Sequence, residues 1–367
     1  MTTTTPLPPR GLALRGRVWP GGGAPAFPDG VVLVDGRGAI AALGPGGDLP
    51  LPADLPAIGG AGAWVGPGLL DAHVHLAFGA PEEALAGGVV GVRDLGAPLD
   101  RALRWRTPGE PAPGWPVVAV AGPLLTAPAG YPSRGWGADG FAAFVGDPPA
   151  ARAAVAELAD RGVDLIKLAL EPAGGQPVPD AATARAVVET AHGRGLTVCA
   201  HSLTVAMVER ALDAGVDELC HTPVEPLPDP LAERIAGAGV PVVSTLQTFV
   251  DGGHGPTALA NARALVAAGA RLRYGTDLGN AGTRTGAEPR ELRRLAEAGL
   301  GPEGALRAAT DLAAALPGMR GRRTGRLVAG ESAAAVVLPD DPLRQPEAWR
   351  APIAVVVDGR LTQRSAA

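Results

Sequence analysis

From Ala63 onward, short apolar runs alternate along the chain with stretches of helical period. The predicted strands are Trp64–His73, Val89–Arg93, Val117–Ala121, Leu165–Leu170, Leu196–His201, Glu218–His221, Pro241–Leu246 and Leu272–Asp277. Between and after them, helical spacing predicts Glu82–Ala86, Pro149–Asp160, Ala181–Arg194, Val205–Ala214, Pro230–Ala238, Thr257–Ala268, Glu288–Ala298 and Pro302–Ala315. Eight strands alternating with helices predict an α/β fold, a parallel (β/α)8 TIM barrel. The connection between the second and third strands is the least defined. Leu12–Leu51 reads differently: VVLVD and AIAAL flank Gly-Arg-Gly, a hairpin signal. β-like runs return after Leu316, in GRLVAGESAAAVVLP and PIAVVVDGRLT. Residues 10–62 and 317–363 are therefore expected to form a small composite β-sandwich domain from both chain ends, with residues 63–316 inserted as the barrel. Residues 1–9 read as a disordered polar tail.

One connection breaks the pattern. Gly122–Pro148 is rich in Gly and Pro and carries Tyr131, Trp136, Phe141 and Phe144. It is too long for an ordinary strand-to-helix turn, and loops of that length in compact domains are usually functional or disordered. It is read here as a lid over the barrel mouth.

Composition narrows the function classes. The 367 residues are 46% hydrophobic, enough for a large core, and the net charge of -5 with no basic block argues against a nucleic-acid binder. The N-terminal stretch lacks an apolar signal region, and no run approaches a membrane span. The two cysteines, Cys199 and Cys220, read as reduced core residues. A cytoplasmic protein acting on a small molecule is expected, without nucleic-acid or membrane partners; a homo-oligomer is compatible with the sequence. Lys167 is the only lysine among 32 basic residues. In a chain so biased to arginine, a retained lysine points to chemistry that a guanidinium cannot perform, since an amine can lose its proton and react.

The polar groups gather at strand ends. His73 and His75 stand two apart on the first strand, so both face one side about 6–7 Å apart. Lys167 lies on the fourth strand, His201 ends the fifth, His221 the sixth and Asp277 the eighth. Active sites of such barrels lie at the carboxyl ends of the strands. Any one of these residues could be a satisfied core group. Burying four histidines, a lysine and an aspartate together without a purpose would be costly, because buried charges need partners or a metal.

The motifs GPGLLDAHVHL, GVRDLG, DLIKLAL, VCAHS, CHT and YGTDLG resemble the amidohydrolase superfamily, in its prolidase-like and imidazolonepropionase-like branch. The resemblance runs over nearly the whole chain. It implies a (β/α)8 barrel with a composite β domain and a pair of divalent metal ions, zinc first, with manganese, iron or cobalt also able to fit. By that resemblance His73, His75, His201, His221 and Asp277 are metal ligands. Lys167 corresponds to a lysine carboxylated by carbon dioxide that bridges the two ions. A carbamate would turn a repelled ammonium into a bridging anion. The implied reaction is hydrolysis of a C–N bond in an amide, cyclic amide or dipeptide-like substrate by metal-activated hydroxide, with Asp277 moving the proton.

Around this set, Tyr131, Arg93, Gln247 and Asn280 are candidate substrate contacts; Arg134, His254 and Arg284 also follow strand ends. Asp94 could orient a ligand histidine or pair with Arg93. Tyr131 stands where related sequences carry a loop histidine, which weakens the link to dipeptide specificity. His192 is assigned to a helix end and Cys199 to the core. The sequence leaves open a mononuclear deaminase with unmodified Lys167, and a biosynthetic cyclase or ring-opening enzyme using the same site. A non-catalytic scaffold is disfavoured because every ligand position is filled.

Overall fold

The structure is a computed structural model that describes residues 2–107, 112–319, 321 and 323–364. Its strands, in chain order, begin with β1 (Thr2–Pro6), β2 (Leu12–Val18), β3 (Phe27–Val34), β4 (Ile40–Pro45) and β5 (Ala57–Pro67). β6 (Leu69–Val74), β7 (Val89–Asp94), β8 (Val117–Val120), β9 (Leu124–Thr126) and β10 (Ala142–Phe144) follow. Then come β11 (Ile166–Ala169), β12 (Val198–His201), β13 (Glu218–Leu219), β14 (Val242–Val243) and β15 (Leu272–Arg273). The chain closes with β16 (Ala334–Leu338), β17 (Ala354–Val357) and β18 (Arg360–Arg364).

Strands from the two chain ends pair into one sheet, ordered β1-β18-β17-β16-β5-β2-β3-β4. The ladders make a single continuous sheet rather than the expected two-sheet sandwich. Its alternating side chains serve two cores. Val65, Val337, Ala335 and Val356 pack with Leu12, Leu14 and Val32 inside the sheet's own curl. Trp64, Val336, Leu338 and Val355 face the α/β part. Trp64 stacks on Trp19 (centroids 6.0 Å apart) and meets Trp349 edge-on at 5.9 Å, so three indoles fill that junction. The hairpin read at Gly36–Gly38 joins β3 to β4 as expected. Two expectations change. Thr2–Pro6 is not a loose tail: it pairs antiparallel with β18, and Thr4 Oγ1 lies 2.9 Å from Thr362 Oγ1. Trp64–Pro67 belongs to the end sheet, paired with β16, so the first parallel strand starts at Leu69.

The remaining strands run parallel, in a three-stranded sheet (β6-β7-β8) and a seven-stranded sheet (β10-β9-β11-β12-β13-β14-β15). The ladders thus form two sheets instead of one uninterrupted ring of eight. Individual backbone bonds cross between them. Asp164 N donates to Val120 O (2.9 Å), Ala72 N to Tyr274 O (3.1 Å), Asp277 N to His73 O (2.8 Å) and His75 N to Leu278 O (2.8 Å). Close approach of the first and last strands needs Gly275: a Cβ there would come within 2.3 Å of Val243 and 3.1 Å of His73.

The helices follow the apolar period with small shifts at their ends, and caps explain where they begin and stop. Pro148–Arg161 starts on Asp147, whose carboxylate accepts from Ala150 N at 2.8 Å, and Ala181–Gly193 starts on Asp180, which accepts from Thr183 N at 2.7 Å. Gly162 and Gly215 end their helices at φ of 86° and 85°, a left-handed conformation that a Cβ disfavours. Two helices were not read from the sequence, Leu99–Trp105 and Leu246–Asp251. Residues 108–111, in the poorly defined connection, lie outside the described residues. No helix among the described residues is long and apolar enough to cross a membrane.

Candidate metal centre

His73 near the end of β6 and His75 just beyond it do face one spot, and the downstream strands bring the others to them. Ring centroids run His75–His73 at 5.3 Å, His73–His221 at 4.6 Å and His221–His201 at 4.5 Å. Asp277 Oδ1 lies 3.3 Å from His73 Nε2 and 3.4 Å from His75 Nε2. Donor atoms of His73, His221 and Asp277 all fall within 4.8 Å of one another. Lys167 Nζ is 3.5 Å from His73 Nε2. All six residues are buried.

Three of the four rings are aimed from behind. His73 Nδ1 is 3.1 Å from Cys220 O, His75 Nδ1 is 3.1 Å from Gly96 O, and His221 Nδ1 is 2.9 Å from Thr245 Oγ1. The two carbonyl contacts place the proton of His73 and His75 on Nδ1 and leave each Nε2 lone pair for a ligand. Burial lowers the basicity of His73 and His221 far below that of a free imidazole, and lowers His201 as well. Neutral rings are the form that binds a cation. The backbone is strained at this point: Asp277 has φ of 53° and Thr245 φ of 45°, unusual for residues with a branched or polar Cβ. Asp71 fixes the loop before Asp277, accepting from His73 N (3.1 Å), Thr276 N (3.0 Å) and Thr276 Oγ1 (2.6 Å).

The residues present fit a divalent cation. Four-coordinate zinc-type ligands with bonds of about 2.1 Å stand about 3.4 Å apart. The Asp277–His73 and Asp277–His75 separations match that spacing. His201 Nε2 is buried without a hydrogen-bond partner among the described residues, as is Oε2 of Glu171, 3.4 Å away. Imidazoles and carboxylates are the donors such ions take. A deeper group, Cys199, Glu218 and Cys220, also lies within 4.8 Å, but its carboxylate is already paired with the Arg93 guanidinium.

A cleft of about 170 Å3 opens beside the cluster, lined by His75, Phe78, Tyr131, Trp136, Asp277, Gly279 and Asn280. The long loop supplies its aromatic wall. Trp136 stands 4.8 Å from the His75 ring, and Tyr131 stands 4.8 Å from the His201 ring. Burial pushes the Tyr131 phenol far up, so it remains a protonated donor at neutral pH.

The candidate contacts divide. Tyr131 and Asn280 line the cleft. Arg93 does not: it is fully buried, donates to Ala72 O (2.9 Å) and Pro317 O (3.2 Å), and pairs with Glu218. Gln247 is turned away as well. Its Nε2 donates to Asp251 (2.8 Å) and its Oε1 accepts from Arg294 (3.3 Å), because Leu246–Asp251 is a helix and not a strand end. Asp94 neither pairs with Arg93 nor contacts a histidine nitrogen by a hydrogen bond; it accepts from Leu76 N at 2.9 Å, and burial raises its carboxyl to about 6. His192 sits at a helix end with Asp217 at 2.9 Å, as expected. Sequence reasoning missed Glu171, although it shares strand parity with Lys167. It gave no role to Asp71, Phe78 or Thr245.

Comparisons with known proteins agree with this geometry. The amidohydrolase family profile matches residues 64–362. An uncharacterized protein of Mycobacterium tuberculosis is 31% identical over 178 residues, which is 44% of this chain and 45% of the relative. The matched stretch thus spans less than half of that relative. Among solved structures, a putative prolidase from Bifidobacterium longum superimposes with a TM-score of 0.77 at 27% identity, over 96% of this chain and 94% of that one. A Xaa-Pro dipeptidase with methionine bound gives 0.82 at 20% identity, over 96% and 100%. A. niger ochratoxinase gives 0.77 at 19% identity, over 95% of each. A profile match over most of its length, together with histidines and an aspartate converging at parallel strand ends, shows that the chain belongs to the amidohydrolase family.

Proposed function

We propose that the protein is a metal-dependent amidohydrolase that cleaves the C–N bond of an amide, cyclic amide or dipeptide-like substrate. The observation that carries this reading is the convergence of four imidazoles, Asp277 and Lys167 beside a small cleft. Likeness to a putative prolidase at 27% identity supports the bond class. The architecture in this reading is a (β/α)8 barrel, supported by the backbone bonds that tie β6 to the segment after β15 and β8 to the start of β11. The smaller unit, expected over residues 10–62 and 317–363, extends in this reading to Thr2–Pro6 and to Pro67, which pair within its sheet; residues 320 and 322 lie outside the described set.

His73 and His75 would hold one cation with Asp277, and His201 and His221 would hold the other. Bound there, two divalent ions would acidify a water molecule and polarise a substrate carbonyl. Lys167, as an ammonium 3.5 Å from His73 Nε2, would repel any cation at that nitrogen. Carboxylation would convert it to an anion, replacing the repulsion with oxygen donors for the ions. Asp277 lines the cleft, takes the proton from the attacking water and delivers it to the leaving nitrogen. Tyr131 donates its phenol hydrogen to the substrate, and Asn280 borders the same space.

The test is a metal-replete activity screen across N-acyl amino acids, dipeptides, hydantoin-like rings and lactones, with metal content measured in parallel. Asp277→Asn should reduce turnover by about 10²–10⁴ while the chain stays folded. Near wild-type turnover would remove the proton-transfer role. Lys167→Ala should lose at least one metal and regain part of its activity with an added short-chain acid. Unchanged metal content would remove the bridging role.

A further inference from the structure

Glu171 lies just beyond β11, on the same side of the extended chain as Lys167. Only 7% of the residue is exposed. Its Oε2 finds no hydrogen-bond donor, and among the described residues no lysine or arginine pairs with it. A carboxylate oxygen buried without a donor is costly. The atom that faces it, His201 Nε2 at 3.4 Å, is itself buried and without a hydrogen-bond partner. The two atoms stand at the spacing of neighbouring ligands on one ion; a shared cation would satisfy both, as a proton on Nε2 would in its absence.

We infer that Glu171 is a further ligand of the outer cation, the one held by His201 and His221. This inference rests on the metal reading above and adds to it an oxygen donor that the histidine, aspartate and lysine set does not include. It excludes a simpler role, in which Glu171 accepts a hydrogen bond from His201 Nε2. That nitrogen cannot carry a proton and also ligate an ion. An added carboxylate also shifts the outer position toward harder cations of higher coordination number, such as Mn2+, relative to a site of imidazoles alone.

The experiment uses the full chain, stripped with a chelator and titrated with Co2+, following metal uptake and the visible d–d absorption. Wild type should fill two sites. Glu171→Gln should weaken one of them by about 10–100-fold and change the absorption of that site, leaving the other as it was. Glu171→Asp, which keeps the charge on a shorter arm, should fall between. The unfolding midpoint of each metal-free variant establishes that it is folded. Identical isotherms and spectra for wild type and Glu171→Gln would overturn the inference. So would a change confined to KM for cationic substrates, which would make Glu171 a substrate contact. If wild type itself takes up no Co2+, the metal reading fails first; if wild type fills two sites and Glu171→Gln matches it, only the role of Glu171 fails.

Discussion

Asp71 of the first parallel strand grips Thr276, the residue before Asp277, through both its amide (3.0 Å) and its hydroxyl (2.6 Å). The same carboxylate accepts from the His73 amide at 3.1 Å. One side chain thereby sets the spacing between a histidine and the aspartate across from it, on segments far apart in the chain. Asp71→Ala leaves these buried donors without an acceptor and is expected to destabilise the fold by about 3 kcal/mol. It should also weaken metal retention, because Asp277 loses its anchor. Chemical denaturation of the metal-free protein, paired with metal analysis after dialysis, measures both. A stability loss with full metal retention would mean that Asp277 is positioned by its strained backbone alone.

Arg93 and Glu218 form a buried ion pair beneath the site, with side-chain exposures of 0% and 1%. Replacing Arg93 by Ala strands a buried carboxylate and should cost about 3–5 kcal/mol. The double variant Arg93→Met, Glu218→Leu removes both charges and should lie much closer to wild type. Arg93→Lys should not rescue, because an ammonium on a flexible stem does not reproduce the planar fork that reaches Ala72 O, Pro317 O and Glu218 together. Urea unfolding of the three variants tests this. Loss of substrate affinity with unchanged stability in Arg93→Lys would restore the substrate-contact role.

Trp136 forms one wall of the cleft, edge-on to His75, and packs against Phe141 at 5.7 Å. Trp136→Ala removes apolar wall area that substrate would cover, worth about 1–2 kcal/mol of binding. The expected result is a rise in KM of about tenfold with a smaller change in kcat; Trp136→Phe should keep most of the affinity. Steady-state kinetics on the best substrate decides it. A fall in kcat with KM unchanged would place Trp136 in the chemical step.

Glu291 is buried on the helix Pro289–Leu295 and collects three donors: the Ser244 hydroxyl, Leu246 N (3.0 Å) and Gln247 N (2.6 Å). Burial raises its carboxyl from 4.5 to about 7 despite these bonds. Its folded pKa lies above its unfolded one, so the folded state binds the extra proton between the two. The contribution to stability is present below pH 4.5 and is lost as pH rises toward 7, on the order of 3 kcal/mol in total. Glu291→Gln should flatten the pH dependence of the unfolding midpoint across that window. An unchanged slope would show that the group is ionised throughout.

Much of this was legible in local pattern. Alternation along strands put His73 with His75. Runs ending in polar groups placed His201 at the carboxyl end of β12 and His221 and Asp277 just beyond β13 and β15; Lys167 was expected at a strand end too, but is the second residue of β11. A single lysine in an arginine-rich chain marked itself out. Glu171 was equally open to reading, two positions beyond Ala169 on the Lys167 face, because parity continues past a strand's last ladder bond. Gln247 misled because VVSTL reads as one extended run, whereas the Ser244 and Glu291 contacts start a helix there and turn the amide toward Asp251. Thr2–Pro6 misled because a polar run looks like a tail until a partner strand from the other chain end is known.

The sequence by itself determined which side chains share a face, roughly where most of the helices lie, and which residue types collect at strand ends. These follow from backbone periods of a few residues. Only the tertiary structure decided that Arg93 belongs to Glu218, that Asp71 holds Thr276, and that the Trp136 ring stands beside His75. Such pairings join segments far apart along the chain. Their distances depend on how sheets twist and side chains interlock, and a one-dimensional pattern carries no record of that packing.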